Sequence, residues 1–212
     1  KFEGISGSVR GAYATLDGET SIENEHNFAN YEAGKVWWVG FTSTMSFFDP
    51  FTLALSAGYG KFESDVDSAN DQDGWNVQAK ASYKTAYGTP VLGAWYFSGD
   101  DKDDKGTMPS EGGYFTPTRT LHDAAFSMVG GQCLYLPSGN WGVQAGIEGV
   151  SFLKDLSHDF LVTYMQGTND KSFADNTAQY MTEEDSLVSF DFISTYQIYK
   201  NFVACLELSY II

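Results

Sequence analysis

The 212-residue chain contains no apolar run approaching 18 residues, which excludes a transmembrane helix. It is poor in cations. Its 12 Lys and Arg stand against 28 Asp and Glu, a net charge of −16, so the basic footprint that nucleic-acid binding requires is missing. Cysteine is scarce too. Cys133 and Cys205 fall in no CxxC or Cys/His spacing, so no metal motif is present, and a bond between them would need an oxidising compartment and a fold that brings them together. The three histidines, His26, His122 and His158, are scattered in or beside loop-like sequence, without an H-E-x-x-H, G-x-S-x-G or P-loop pattern. No catalytic residue, metal site or cofactor is therefore expected. Proline is rare at 5 residues, whereas Gly reaches 22 and aromatics 16%. That balance favours an all-β chain.

What is present is alternation. In 51–60, Phe51, Leu53, Leu55, Ala57 and Tyr59 are apolar, while Thr52, Ala54, Ser56, Gly58 and Gly60 are small or polar. A strand sends successive side chains to opposite faces, so this is a strand with one apolar and one wet face. The pattern recurs in nine segments, at about 5–16, 35–47, 51–64, 75–86, 90–100, 141–153, 158–167, 185–198 and 202–212. Such strands average to near-neutral hydropathy, here −0.26, even where one face meets lipid.

The connections alternate in length. Those at Phe48-Asp49-Pro50, Tyr87-Gly88-Thr89, 154–157 and Lys200-Asn201 are tight, and the rest are long. Long-stranded alternation with short turns on one side and long loops on the other predicts an all-β, antiparallel, up-and-down transmembrane β-barrel over 1–212. Residues 122–136 read either as a further strand or as part of one long loop over 101–140. The loop reading keeps the sides consistent, and a loop of that length in a compact domain is usually functional. Aromatics beside the tight turns (Phe47, Phe48, Phe51, Tyr87, Tyr199 and Phe202) suggest an interfacial girdle; as the core of a soluble sandwich they would look similar.

The acid is clustered. Of the 28 acidic residues, 21 lie in 17–34, 62–74, 100–140 and 168–185. Solvated loops are the plain account, and an acidic rim that gathers cations or bridges lipopolysaccharide through divalent ions is the sharper one. The run at 67–74 is not a calcium hand, because Ala69 and Lys80 fall where the first and twelfth ligands would be.

The wet parity carries Arg10, Asn76, Gln78, Lys80, Lys84, Gln144, Glu148, Asp191, Gln197 and Glu207, the candidates for lining a pore. Lys80 and Lys84 opposed to Glu148, Asp191 and Glu207 around a wall would set up a transverse field. Asp100, Asp101, Asp103, Asp104, Arg119 and Asp123 are candidates for a constriction if the long loop folds inward, and a surface patch if it folds outward.

The stretch LSHDFLVTYMQGTND at 156–170, followed by TEEDSLVSFDFISTYQIYKNFVACLELSYII at 182–212, resembles the homotrimeric outer-membrane porins of sulfate-reducing bacteria, and the similarity extends more weakly over 75–100 and 141–155. The resemblance implies a barrel of about sixteen strands, a trimer in the Gram-negative outer membrane, and passive diffusion of small hydrophilic solutes and ions. Nine strands are an odd number, where bacterial single-chain barrels are even. Lys1 opens on strand-like sequence and the chain ends at Ile211-Ile212 without the usual terminal aromatic, so a partial barrel of about nine strands, a fragment with strands missing at both ends, is expected. The alternative from another class is a soluble or surface-attached β adhesin or ligand binder. Strand length separates the two, since barrel strands need about 9–11 residues and globular strands cluster near 5–6.

Overall fold

A computed structural model describes residues 4–16, 33–66, 71–99, 101, 139–173 and 181–212. Nine strands run through them: β1 (Ile5–Leu16), β2 (Gly34–Phe48), β3 (Phe51–Ser64), β4 (Gln72–Tyr83), β5 (Thr89–Phe97), β6 (Asn140–Leu153), β7 (Leu156–Gly167), β8 (Ser186–Tyr199) and β9 (Phe202–Ile211). They form one antiparallel sheet in the order of the sequence, and β1 and β9 are its two edges, not paired to each other. The fold is thus all-β, antiparallel and up-and-down, as expected, and the nine-stranded sheet is open, not closed into a barrel. β5 pairs directly with β6. The choice between strand and loop at 122–136 falls on residues that are not among those described. Residues 102–138, with Cys133, are outside the described residues.

The expected boundaries hold at β1 and β3 and move elsewhere. β4 was expected over 75–86 but covers Gln72–Tyr83, because Phe62, Lys61 and Gly60 of β3 pair with Gln72, Asp73 and Gly74. Its C-terminal end is set by a turn in which the Thr85 amide and hydroxyl both donate to the Gly88 carbonyl, at 3.0 and 2.6 Å. Gly88 has φ +144°, a backbone that favours glycine. Lys84 consequently lies past the strand.

β6 holds two irregularities that the alternation hides. Ile147 pairs with Phe160, Val150 with His158 and Leu153 with Leu156, so β6 spends three residues where β7 spends two, twice over. Each extra residue is a β-bulge. Bulging keeps Ile147, Val150 and Leu153 on one face although they are spaced by three.

Candidate functional site

Pairing register sorts every strand residue onto one of two faces, since directly opposed residues share a face. One face carries Tyr13, Val39, Phe41, Leu55, Val77, Leu92, Val143, Val162, Phe190 and Leu208. The other carries Arg10, Thr42, Ser56, Gln78, Gln144, Thr163, Ser189, Asp191 and Glu207. Burial is reversed from that of a water-soluble fold. Ser56, Asn76, Gln78, Gln144, Thr163, Ser189 and Asp191 are buried, whereas Val9, Val39, Phe41, Leu92, Phe160, Leu206 and Leu208 are exposed, Leu92 to 60%. Apolar burial lies on the polar face: Phe62, Val91, Leu161 and Ile193 are buried there, and near the long connections Trp95 and Met165 pack with Phe97, Met181 and Leu187.

The apolar face has ordered ends. Toward the long connections runs a row of Trp and Tyr: Tyr13, Trp37, Tyr59, Trp75, Tyr96, Trp141 and Tyr164, on seven successive strands. Ring centroids are 5.4 Å apart in Trp37–Tyr59, 4.8 Å in Trp75–Tyr96 and 5.5 Å in Trp141–Tyr164. Charge begins just beyond this row on the same face, with Lys35, Lys61, Glu63 and Asp73. Tyr59 donates its hydroxyl to Asp73 at 2.8 Å, and Lys61 pairs with Glu63 at 2.9 Å. Phe47, Phe48, Phe51, Tyr83, Tyr87, Tyr199 and Phe202 mark the tight-turn end, all exposed. The Trp/Tyr row was missed from the sequence, although its signal was there: each member holds apolar parity within a few residues of a long connection.

The pore-lining candidates within strands all fall on the polar face, but they do different things there. Arg10 is exposed. Lys80 reaches Glu148 at 2.9 Å, across β5 where Gly93 offers no side chain. The two charges meet on one wall, so for this pair the expected transverse opposition is replaced by an ion pair. Gln144 donates to Thr163 at 3.1 Å, and Asp191 accepts from Ser189 at 2.9 Å and Ser209 at 2.7 Å. Gln78, Gln144 and Asp191 are buried, so they knit the wall and do not face open solvent. Gln197 donates to the Tyr199 carbonyl in the β8–β9 turn, and Glu207 accepts from Cys205 at 3.5 Å. Among the described strand residues, the polar face of β1–β4 carries Arg10 and Lys80 and no carboxylate, while that of β6–β9 carries Glu148, Asp159, Asp191 and Glu207 and no cation.

Of the constriction candidates only Asp101 is described, and it is exposed. Asp100, Asp103, Asp104, Arg119 and Asp123 lie outside the described residues, as do His26 and His122. His158 stacks on Phe192 on the apolar face, with centroids 5.5 Å apart. Among the described residues no three His, Cys, Asp or Glu side chains group as metal ligands.

The Gln166-Gly167-Thr168-Asn169-Asp170 run is a clasp. Gln166 donates to the Glu183 carbonyl at 2.8 Å and the Gly167 amide to the Asp185 carbonyl at 3.0 Å. The Thr168 amide donates to the Gly139 carbonyl and its hydroxyl to the Phe97 carbonyl, at 2.8 and 2.9 Å, and Asn169 donates to the Met181 carbonyl at 2.8 Å. One short run thereby ties the ends of β5, β6 and β8 together. Beside it, Asp185 accepts from the Thr182 amide at 2.9 Å and the Thr182 hydroxyl at 2.8 Å, and these bonds hold its carboxyl below the usual carboxylate range. Compared with known proteins, the chain matches no family, no curated sequence and no solved structure.

Proposed function

We propose that this sheet is the wall of a transmembrane β-barrel in a Gram-negative outer membrane, forming a water-filled channel through which small hydrophilic solutes and ions diffuse, and that it works as a homotrimer in contact with lipid and lipopolysaccharide. The observation that carries the reading is the reversed burial: an apolar face spread over nine strands is exposed, while polar side chains on the other face of β3, β4, β6, β7 and β8 are buried. Contiguous exposed apolar patches on soluble monomers rarely exceed a few hundred Å². Lipid is the medium in which such a face is at home.

The ends of the face support the same medium. Trp75 to Tyr83 is eight residues and Trp37 to Phe48 is eleven. At about 3.4 Å per residue and a tilt of about 40°, those spans rise roughly 21–29 Å, which brackets the apolar band of about 25 Å in outer-membrane barrels. Trp and Tyr favour the interfacial level, where the ring is apolar and its N–H or O–H stays wet. Strands of 9 to 15 residues also fit membrane crossing better than the short strands of a soluble adhesin.

The test is extraction and conductance. The full chain is expected to require detergent and to give stepwise ion conductance in planar bilayers, with three pores per particle in low-resolution images. Solubility in plain buffer together with silent bilayers would overturn the channel.

A further inference from the structure

Three of the four tight turns open on the same residue type at the same place. Lys84 follows Tyr83 at the end of β4, Lys154 follows Leu153 at the end of β6, and Lys200 follows Tyr199 at the end of β8. The fourth turn opens on Asp49, after β2. β4, β6 and β8 run the same way, so the three Lys stand in a row at the tight-turn end, one at every second strand and roughly 10 Å apart. The backbone of the row is tied down. The Lys84 amide donates to the Pro50 carbonyl at 3.0 Å, and the Gln197 amide donates to the Asp155 carbonyl at 2.8 Å, which links the β6–β7 turn to β8.

All three Lys are exposed, and none has an ion-pair partner among the described residues, whereas Lys61, Lys80 and Lys171 each have one. The carboxylates of the tight turns are Asp49 and Asp155, so cations are the majority at this end of a chain with net charge −16. The long connections and the strand ends beside them hold 21 of the 28 acidic residues. Strands of 9 to 15 residues keep that acid more than about 20 Å away, against a screening length of about 8 Å in physiological salt, so it does not cancel the row. The side chains around the Lys are apolar and exposed: Phe152 to 82%, Tyr199 to 74% and Leu153 to 66%, with Tyr83 and Phe202 beside them.

Single cations spaced in a row do not converge on one anion. Their spacing suits a surface of anions, and the rings beside them suit the boundary between head groups and acyl chains. We propose that the tight-turn rim docks on phospholipid head groups of net negative charge. Lys84, Lys154 and Lys200 each extend an apolar stem past the rings and place the ammonium among the lipid phosphates. Tyr83, Leu153 and Tyr199 lie beneath, at the level of the glycerol and upper acyl carbons. The surface rests on the membrane reading proposed above and adds to it the sign of the lipid at one end, held directly by Lys and not through divalent ions.

Electron paramagnetic resonance of spin-labelled phosphatidylglycerol and phosphatidylcholine, each at trace level in phosphatidylcholine vesicles holding the full chain, reads how strongly each lipid associates with the protein. Each Lys favours an anionic neighbour by roughly fivefold, diluted by the rest of the lipid shell, so phosphatidylglycerol should be enriched about twofold or more, and less at high salt. Lys84→Gln, Lys154→Gln and Lys200→Gln combined should bring the two lipids level, whereas Lys35→Gln with Lys61→Gln, at the other end, should leave the preference unchanged. Level association in the unaltered chain, or a preference that the triple variant keeps, would overturn the rim. So would a preference that inorganic phosphate abolishes beyond the effect of sodium chloride at equal ionic strength, which would mark a free-anion site. Flotation separates the two claims. A chain that floats with phosphatidylcholine vesicles and shows no lipid preference loses the rim alone. A chain that floats only with phosphatidylglycerol vesicles, and is washed off by salt, keeps the rim and loses the membrane-spanning wall; one that floats with neither loses both.

Discussion

Val77 and Gln78 are neighbours in β4 and live in opposite surroundings. The valine is 45% exposed and the glutamine 2%. The same inversion recurs from strand to strand: Val143 against Gln144, Val162 against Thr163, Phe190 against Asp191. Hydrophobic burial in water would drive each pair the other way. The polar face compensates by side-chain hydrogen bonding, as in the Ser189–Asp191–Ser209 chain, and the apolar face holds few polar side chains between its aromatic ends, Ser43, His158 and Ser194 among them. On the membrane reading proposed above, the two faces answer to two solvents.

The largest effect expected from breaking that difference is at mid-face. Leu55→Arg, on the apolar face midway between Phe51 and Tyr59, should destabilise the folded chain in lipid vesicles by roughly 2–4 kcal/mol. Thr44→Arg, at nearly the same height on the polar face, should cost less than about 1 kcal/mol by the same denaturant titration. Equal costs would erase the distinction between faces. At the boundary of the apolar face, Trp75→Ala removes the stack on Tyr96 and should cost roughly 1 kcal/mol, while Trp75→Phe retains most of it. If both substitutions cost the same, the row is not acting through its rings.

Smaller effects are expected on the polar side. Lys80 and Glu148 are each about a quarter exposed, so a double-mutant cycle with Lys80→Met and Glu148→Gln should report a coupling up to about 1 kcal/mol, falling as salt is added. A coupling indifferent to salt would mean the contact is not electrostatic. The smallest effect is at the rim. Asp185 is held below the ordinary carboxylate range by the Thr182 amide and hydroxyl, so its contribution is present above its unfolded value and lost as pH falls through the lower, folded one. Protection of the Thr182 amide, its exchange relative to the intrinsic rate, should fall on acidification through that window, and Asp185→Ala should remove that change. Protection that falls equally in both chains would break the assignment.

The faces were legible because parity is local. Phe51 to Gly60 alternates in the sequence, and the register of β3 keeps that alternation on two faces. The tight turns were legible for the same reason. β4 was misplaced by three residues because Gln72, Asp73 and Gly74 read as acidic loop, and only pairing to β3 makes them strand. β6 misleads through its bulges, which break the period of two while preserving the face. Polarity along the wet face was readable, but its burial was not, because burial depends on neighbours two strands away.

The sheet has nine strands in strict alternation, so both of its outer strands, β1 and β9, travel toward the long-connection end. Bringing those two edges together would join them head beside head, a parallel seam in an otherwise antiparallel wall. A copy of the chain turned about an axis roughly parallel to the strands meets the same mismatch, since it presents β1 to β9. An all-antiparallel ring therefore needs an odd number of additional strands, whatever supplies them.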